Sequence, residues 1–365
     1  MAVNGTDTSP INTPASADAR SQFVLAQSSA LTFSTQRGSP VMSRSLSFPR
    51  PRRVLPWIAV LAGFSAGCDE DRSLPSAPDP LESEAPVPPA VLDTRSSRPG
   101  IVFGTFNMRN NYLNSVHTGW MNGGPLDPSN ILSWLAGARD KGGRVVIKLC
   151  KGKDSYVKNA DGTFSLSKWK SLVSRYRNVN LGSYINDGTI IGHYLIDEPH
   201  RASRWGGKEI SQKTLEEMAT YSKQLWPQMA TLVRVAPSWL KSSSMTYRNL
   251  DAGWAQYTAG KGDPAKWVAA EASAAKAKGL GLVVGLNVVN GGNGSSGIRG
   301  DRPGEWSMSA NEIRSYGYAM LGDGLACAFF NWQHDSDYYD LSAIRSAMSD
   351  VSSRARQHAK TSCRQ

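Results

Sequence analysis

Histidine and cysteine are scarce in this sequence, at five and four residues, and no two histidines stand at a metal-ligand spacing such as His-x-x-x-His. A zinc site is therefore not expected, and nothing in the chain calls for a cofactor. Besides Cys68 the cysteines are Cys150, Cys327 and Cys363. Their spacing implies no disulfide framework, so they read as small buried residues. No apolar run is long enough to span a bilayer comfortably. No glycine fingerprint follows the first β-rich run, which leaves a nucleotide-binding sheet without support. Dense Lys/Arg blocks and nucleic-acid motifs are also missing, so nucleic acid is not an expected partner despite a net charge of +11.

The charge is unevenly placed. Residues 1–67 hold six Arg and two acids, residues 68–99 hold three Arg and seven acids, and the part from Gly100 onward carries +11 by itself. A basic surface of this kind can attract acidic polysaccharide or anionic headgroups. Residues 1–41 are polar and aperiodic, and are expected to be disordered or an over-extended start ahead of Met42. Arg44, Arg50, Arg52 and Arg53 then precede an apolar run, Val54 to Phe64, and the small residues Ser65, Ala66 and Gly67 lead into Cys68. This resembles a bacterial lipoprotein signal, although Ser65 stands where that pattern has Leu or another aliphatic residue. The resemblance implies a signal peptide over 42–67, a lipidated Cys68, and an exported chain anchored in a membrane at the periplasm or cell surface. Residues 68–99 are Pro-rich, acidic and without aromatic residues, which suits a tether.

From Gly100 the text alternates β-rich and helical runs, the pattern of an α/β domain. Strands are expected at 102–107, 144–150, 189–197, 231–236, 252–257, 281–289 and 325–332, with an eighth placed at 178–183. Helices are expected at 128–140, 166–177, 211–226, 264–278, 309–321 and 341–358. Asp127-Pro128 and Asp263-Pro264 look like helix starts, and Ser309 with Glu312 forms a capping box. Eight strands alternating with helices over residues 100–365 predict one (β/α)8 barrel, irregular in places, with a doubly wound open sheet as the alternative.

In such a barrel the C-terminal strand ends share one mouth. The residues there are Asn107 with Arg109 and Asn110, Lys148, Asp197 and Glu198, Arg234, Gln256 with Tyr257, Asn287 and Asn290, and Trp332 with His334 and Asp335. Polar groups at the ends of apolar strands fit a polyhydroxylated ligand. The most telling stretch is TIIGHYLIDEPH, from Thr189 to His200, an apolar strand that stops at two carboxylates and a proline. A plainer role for that pair is to bind Arg201 and Arg204.

The strand ending Asp197-Glu198-Pro199 resembles the acid/base strand of the (β/α)8 glycoside hydrolases, whose largest clan ends strand four in Asn-Glu-Pro. Trp332 is similar to the tryptophan those enzymes place beneath the sugar at the cleavage point. The resemblance implies glycosidic hydrolysis with Glu198 as general acid, Asp197 orienting it or a sugar hydroxyl, and carbohydrate as the partner. Arg234 and Lys148 would bind substrate, suiting an acidic polysaccharide. The clan's second Glu, at strand seven, is missing, because Leu286, Asn287, Val288, Val289 and Asn290 stand there. Three accounts stay open: Asp335 or Asp337 supplies the second carboxylate; an acetamido group of the sugar assists, with Asp197, Glu198 and Tyr257 around it; or the barrel is a catalytically silent glycan-binding protein. Non-glycosidic hydrolysis or elimination, with Lys148, Tyr257 or His334 as base, is a further alternative. Among the tryptophans, two or three of Trp120, Trp205, Trp239, Trp254 and Trp332 should face solvent, while Trp134, Trp169, Trp226 and Trp267 should pack. Asp335, Asp337 and Asp340 have the composition of a calcium loop, but close a barrel more commonly than they bind metal.

Overall fold

A computed structural model describes residues 99–359 and 362–364. The expectations for residues 1–41, for the signal and for Cys68 lie outside the described residues, as does the tether up to residue 98.

Eight parallel strands close into a barrel in chain order, β1 pairing with β8. They are β1 Val102–Phe106, β2 Gly119–Met121, β3 Arg144–Ile147, β4 Ile190–Asp197, β5 Thr231–Arg234, β6 Ala252–Tyr257, β7 Gly281–Leu286 and β8 Ala326–Asn331. The helices are α1 Ile131–Asp140, α2 Leu166–Ser174, α3 Gly182–Asn186, α4 Gln212–Leu225, α5 Pro237–Lys241, α6 Pro264–Lys276, α7 Ala310–Met320, α8 Ser336–Tyr339 and α9 Ser342–Gln357. The expected (β/α)8 barrel is therefore the architecture.

Adjacent residues of a strand fall into different apolar clusters. Val146, Tyr194, Trp254 and Val283 belong to one, while Ile147, Leu195, Ala255 and Val284 belong to the other. The pleat sends alternate side chains to the barrel interior and to the layer under the helices. Both layers are dry, which is why these strands read as unbroken apolar runs.

One expected strand is wrong. Residues 178–183 are a turn leading into α3, and the missing strand is β2, a three-residue segment buried on both faces. It was hidden because no α-helix separates it from β1 and because glycines and polar residues surround it. Its backbone is also tightly placed: a Cβ at Gly104 of β1 would stand 1.9 Å from the Gly119 carbonyl oxygen. Since β2 also precedes β4, Asp197 still ends the fourth strand.

The caps were mostly legible. Ser309 and Glu312 make the capping box of α7, and Asp263 accepts the Lys266 amide at 2.8 Å at the start of α6. Asp127-Pro128 does not start α1, which begins at Ile131; Asn130 folds the preceding turn by accepting the Asp127 amide at 2.8 Å, and Asp127 pairs with Arg175. The cysteine expectation is corrected too. Cys327 and Cys363 form a disulfide that ties the C-terminal tail to the start of β8, at the barrel floor, and Cys150 is a free buried thiol. The antiparallel return of α9, whose Ala355 carbonyl accepts the Ile101 amide at 3.0 Å, brings the tail to that end.

Candidate active site

β4 delivers Asp197 to the mouth as its last residue, and the chain turns sharply there. Glu198 has a φ of +44°, a left-handed conformation that costs a non-glycine residue about 1–3 kcal/mol and persists only where the surroundings enforce it. The turn is held by the Glu198 amide donating to the Arg234 carbonyl at 3.1 Å and the Trp205 indole donating to the Glu198 carbonyl at 3.0 Å. It also breaks strand alternation. Two adjacent strand residues should point oppositely, yet both carboxylates meet the same guanidinium groups. Arg204 Nη1 is 2.7 Å from Asp197 Oδ2 and 3.0 Å from Glu198 Oε2, and Arg234 Nη1 is 2.7 Å from Asp197 Oδ1 and 3.6 Å from Glu198 Oε1.

Asp197 is nearly inaccessible, at 4 % exposure. Burial by itself would raise its carboxyl, but the charges of Arg234 and Arg204 outweigh burial and hold it down at about 2. With both oxygens taken, Asp197 positions arginines rather than a sugar hydroxyl. Glu198 also pairs with Arg201 at 2.7 Å, so the plainer pairing with Arg201 and Arg204 is present. Asp154, after β3, holds Arg204 from the far side at 2.6 Å. Sequence reasoning missed Asp154, since its partner lies 50 residues away.

Glu198 lines a cleft of about 480 Å³ with Arg234, Trp254, Gln256, Asn287 and Glu305. Gln256 accepts from Arg234 Nη2 at 2.7 Å through Oε1, while its Nε2 is buried with no partner among the described residues. Trp254 Nε1 and Glu305 Oε2 are in the same condition. Asn287 accepts the Asn290 amide at 3.2 Å, and Asn290 in turn accepts the Asp301 amide at 2.7 Å, so both shape the long loop after β7. That loop carries Glu305. It escaped notice because it lies far beyond the strand end where a carboxylate was sought.

Asn107, Arg109 and Lys148 line a second cleft, of about 500 Å³, over the ends of β1 to β3. Trp332 is half-buried, with the Arg234 guanidinium 4.0 Å over its ring and Phe106 stacked at 4.6 Å, so protein covers much of the surface a sugar would use. Tyr257 points away from the mouth: its hydroxyl donates to the Gly262 carbonyl, and its ring packs edge-on against Trp267 and Tyr316. Asp335 caps α8 by accepting the Tyr338 amide at 2.9 Å and lines neither cleft. His334 lies in a separate small cavity between Tyr112 and Tyr339, at 4.2 and 5.3 Å. Burial lowers its imidazole from the usual range, against the opposing charge of Asp335 and Asp340. Of the candidate tryptophans, Trp239 and Trp332 are partly exposed, while Trp120, Trp205 and Trp254 are buried. Among the described residues, no three His, Cys, Asp or Glu side chains are grouped so as to hold a metal ion.

No protein-family model matches the chain, and no curated protein does. Among solved structures it is similar to a β-glucanase from Saccharophagus degradans. The complex of that enzyme with cellotetraose gives a TM-score of 0.51 at 12 % identity, over 70 % of this chain and 88 % of that one. Its native form gives 0.50 at 11 % identity over the same shares. An endo-β-1,4-mannanase from Thermotoga petrophila gives 0.47 at 14 %, over 73 % of this chain and 79 % of that one. At these identities the likeness is one of fold: the barrel is of the kind on which glycoside hydrolases are built.

Proposed function

We propose that the chain is an exported glycoside hydrolase whose chemistry takes place in the Glu198 cleft, with Glu198 giving a proton to the leaving oxygen. The observation that carries this reading is that two carboxylates, Glu198 and Glu305, line one cleft at the barrel mouth together with Arg234, Gln256 and Asn287. Amide and carboxylate side chains in a small-molecule-sized cleft match hydroxyl groups, which accept and donate. Glu305 is the second carboxylate, activating water or attacking the sugar, in place of Asp335. Arg234 and Gln256 orient the ligand. Proton delivery falls to Glu198 Oε1, which Arg234 approaches no nearer than 3.6 Å, since Oε2 is held by both Arg201 and Arg204. The Cys327–Cys363 disulfide supports export, since such bonds persist in oxidising compartments.

The reading is tested by release of reducing ends from neutral and acidic polysaccharides. Cleavage should fall about 10²- to 10⁴-fold in Glu198→Gln, with a comparable fall in Glu305→Gln. Equal cleavage by wild type and Glu198→Gln removes Glu198 from the mechanism.

A specific observation favours a second reading, the catalytically silent glycan-binding barrel. Glu198 is clamped by Arg201 and Arg204, and an amide, Asn287, follows β7 where the resembling enzymes have a carboxylate. Saccharide binding with no cleavage of any polymer would select it.

A further inference from the structure

The second cleft at the mouth has a feature the Glu198 chemistry does not use. Lys148, directly after β3, is 5 % exposed, yet its ammonium makes no hydrogen bond or ion pair among the described residues; its recorded neighbour is the Tyr194 ring, 5.7 Å away. The stem is buried, but the ammonium is not among the buried polar atoms without a partner, so it opens into the cleft as a cation that no anion among the described residues answers. The nearby carboxylate that senses its charge, Asp197, has both oxygens occupied by Arg234 and Arg204. Arg109, Lys151 and Lys153 line the same cleft and likewise have no ion pair among the described residues. The acid on its wall, Asp127, is engaged by Arg175 at 3.0 Å. Tyr156 adds an aromatic ring, 45 % exposed, with Lys151 4.8 Å over it. Three of the four described non-glycine residues with positive φ, Asn107, Asn122 and Lys151, line this cleft, and the fourth is Glu198.

We propose that this cleft binds the anionic group of an acidic sugar, a carboxylate or a sulfate ester, with Lys148 as its buried contact and Arg109, Lys151 and Lys153 around it. The inference rests on the carbohydrate reading of the mouth but not on hydrolysis. Lysine suits the role because its compact charge serves a tetrahedral or a planar anion equally. A cleft of about 500 Å³ is sized for a small ligand such as one or two sugar rings rather than for a long polymer track. Tyr156 offers a sugar ring a face to lie on.

The test is titration calorimetry of the full chain with tetragalacturonate, its carboxyl-reduced neutral counterpart, a sulfated tetrasaccharide and a thymidylate oligomer of equal charge. The acidic saccharides should bind at least about tenfold tighter than the neutral one, and the uronate and sulfate arms tell which anion is preferred. Lys148→Met keeps the stem and removes the charge, so it should abolish the preference while the melting temperature holds; a folded variant is thereby recognised. Lys151→Ser/Lys153→Ser, at a half-buried and an exposed position, should weaken the preference in part. Equal binding of charged and neutral saccharides, no binding of either, a preference that survives Lys148→Met, or tighter binding of the oligonucleotide would each overturn the proposal. Assaying cleavage of the same saccharides by the wild type separates it from the hydrolytic reading: acid preference without wild-type cleavage defeats hydrolysis alone, and cleavage without acid preference defeats this site alone.

Discussion

Two clefts of similar volume, about 480 and 500 Å³, open at the barrel mouth, and they differ in what their charges already hold. In the cleft over β4 to β7, Arg201 and Arg234 are bound to Asp197 or Glu198, Arg302 faces Glu305 at 3.7 Å, and only Lys261, 4.9 Å over the Trp267 ring, has no ion pair among the described residues. In the cleft over β1 to β3, four cations line the wall without an ion pair among the described residues. Cations locked to carboxylates are preorganised parts of the protein. Cations without them are waiting for charge from outside. On the proposed reading, one barrel mouth holds both a preorganised reaction centre and a surface for an outside anion, according to whether the cations are already paired.

The contrast breaks if the two kinds of cation behave alike on removal. Arg234→Met leaves the buried Asp197 carboxylate with Arg204 alone and should cost about 3 kcal/mol of stability in a denaturant titration. Lys148→Met should change stability little, since it removes a cleft-facing cation with no ion pair among the described residues and keeps the buried stem. Equal losses for both would erase the distinction. Reducing Cys327–Cys363 is the control at the opposite end of the barrel: it should lower stability by about 3 kcal/mol and leave saccharide affinity at both clefts unchanged.

Acid sharpens the comparison because it neutralises the carboxylates of one cleft and leaves the cations of the other. Asp197 has a folded-state pKa of about 2, below its unfolded value. Its contribution, on the order of 2 kcal/mol, is present above about pH 4 and is lost as pH falls toward 2. Buried His193 and His117 act over a higher window. Burial lowers them to about 3 and about 4, with His334 adding to the effect on His117. The unfolded chain therefore takes up protons first, and stability declines as pH drops below about 6.5. Melting temperature should fall in two stages, and His193→Gln should flatten the upper one. A profile flat from pH 7 to 3 would contradict both assignments. The smallest effect is expected from Lys153→Ser, which should change stability by less than about 0.5 kcal/mol while weakening acidic-saccharide binding a few-fold, more so at low salt.

The barrel was legible because seven of its strands are apolar runs bounded by helices with strong caps. β2 was not, since three residues between glycines carry no periodicity and no helix announces them. Glu198 and Lys148 stood out because each breaks an apolar run at a strand end. What the sequence could not show is direction. Alternation alone predicts that Asp197 and Glu198 diverge, and only the left-handed turn at Glu198 brings them to the same arginines. Alternation held at the end of β6, where Gln256 faces the cleft and Tyr257 faces the helices. Asp154 and Glu305 reach the mouth on loops, where chain position carries little information about place.

The most direct test of the central claim is the dependence of Glu198→Gln on the leaving group. On the oligosaccharide the wild type cuts, the variant should lose about 10²- to 10⁴-fold in kcat/KM. On a dinitrophenyl glycoside of the same sugar, whose leaving group needs no proton, it should stay within about tenfold of wild type. An equal loss on both substrates, or no loss on either, would contradict the assignment of Glu198 as the proton donor.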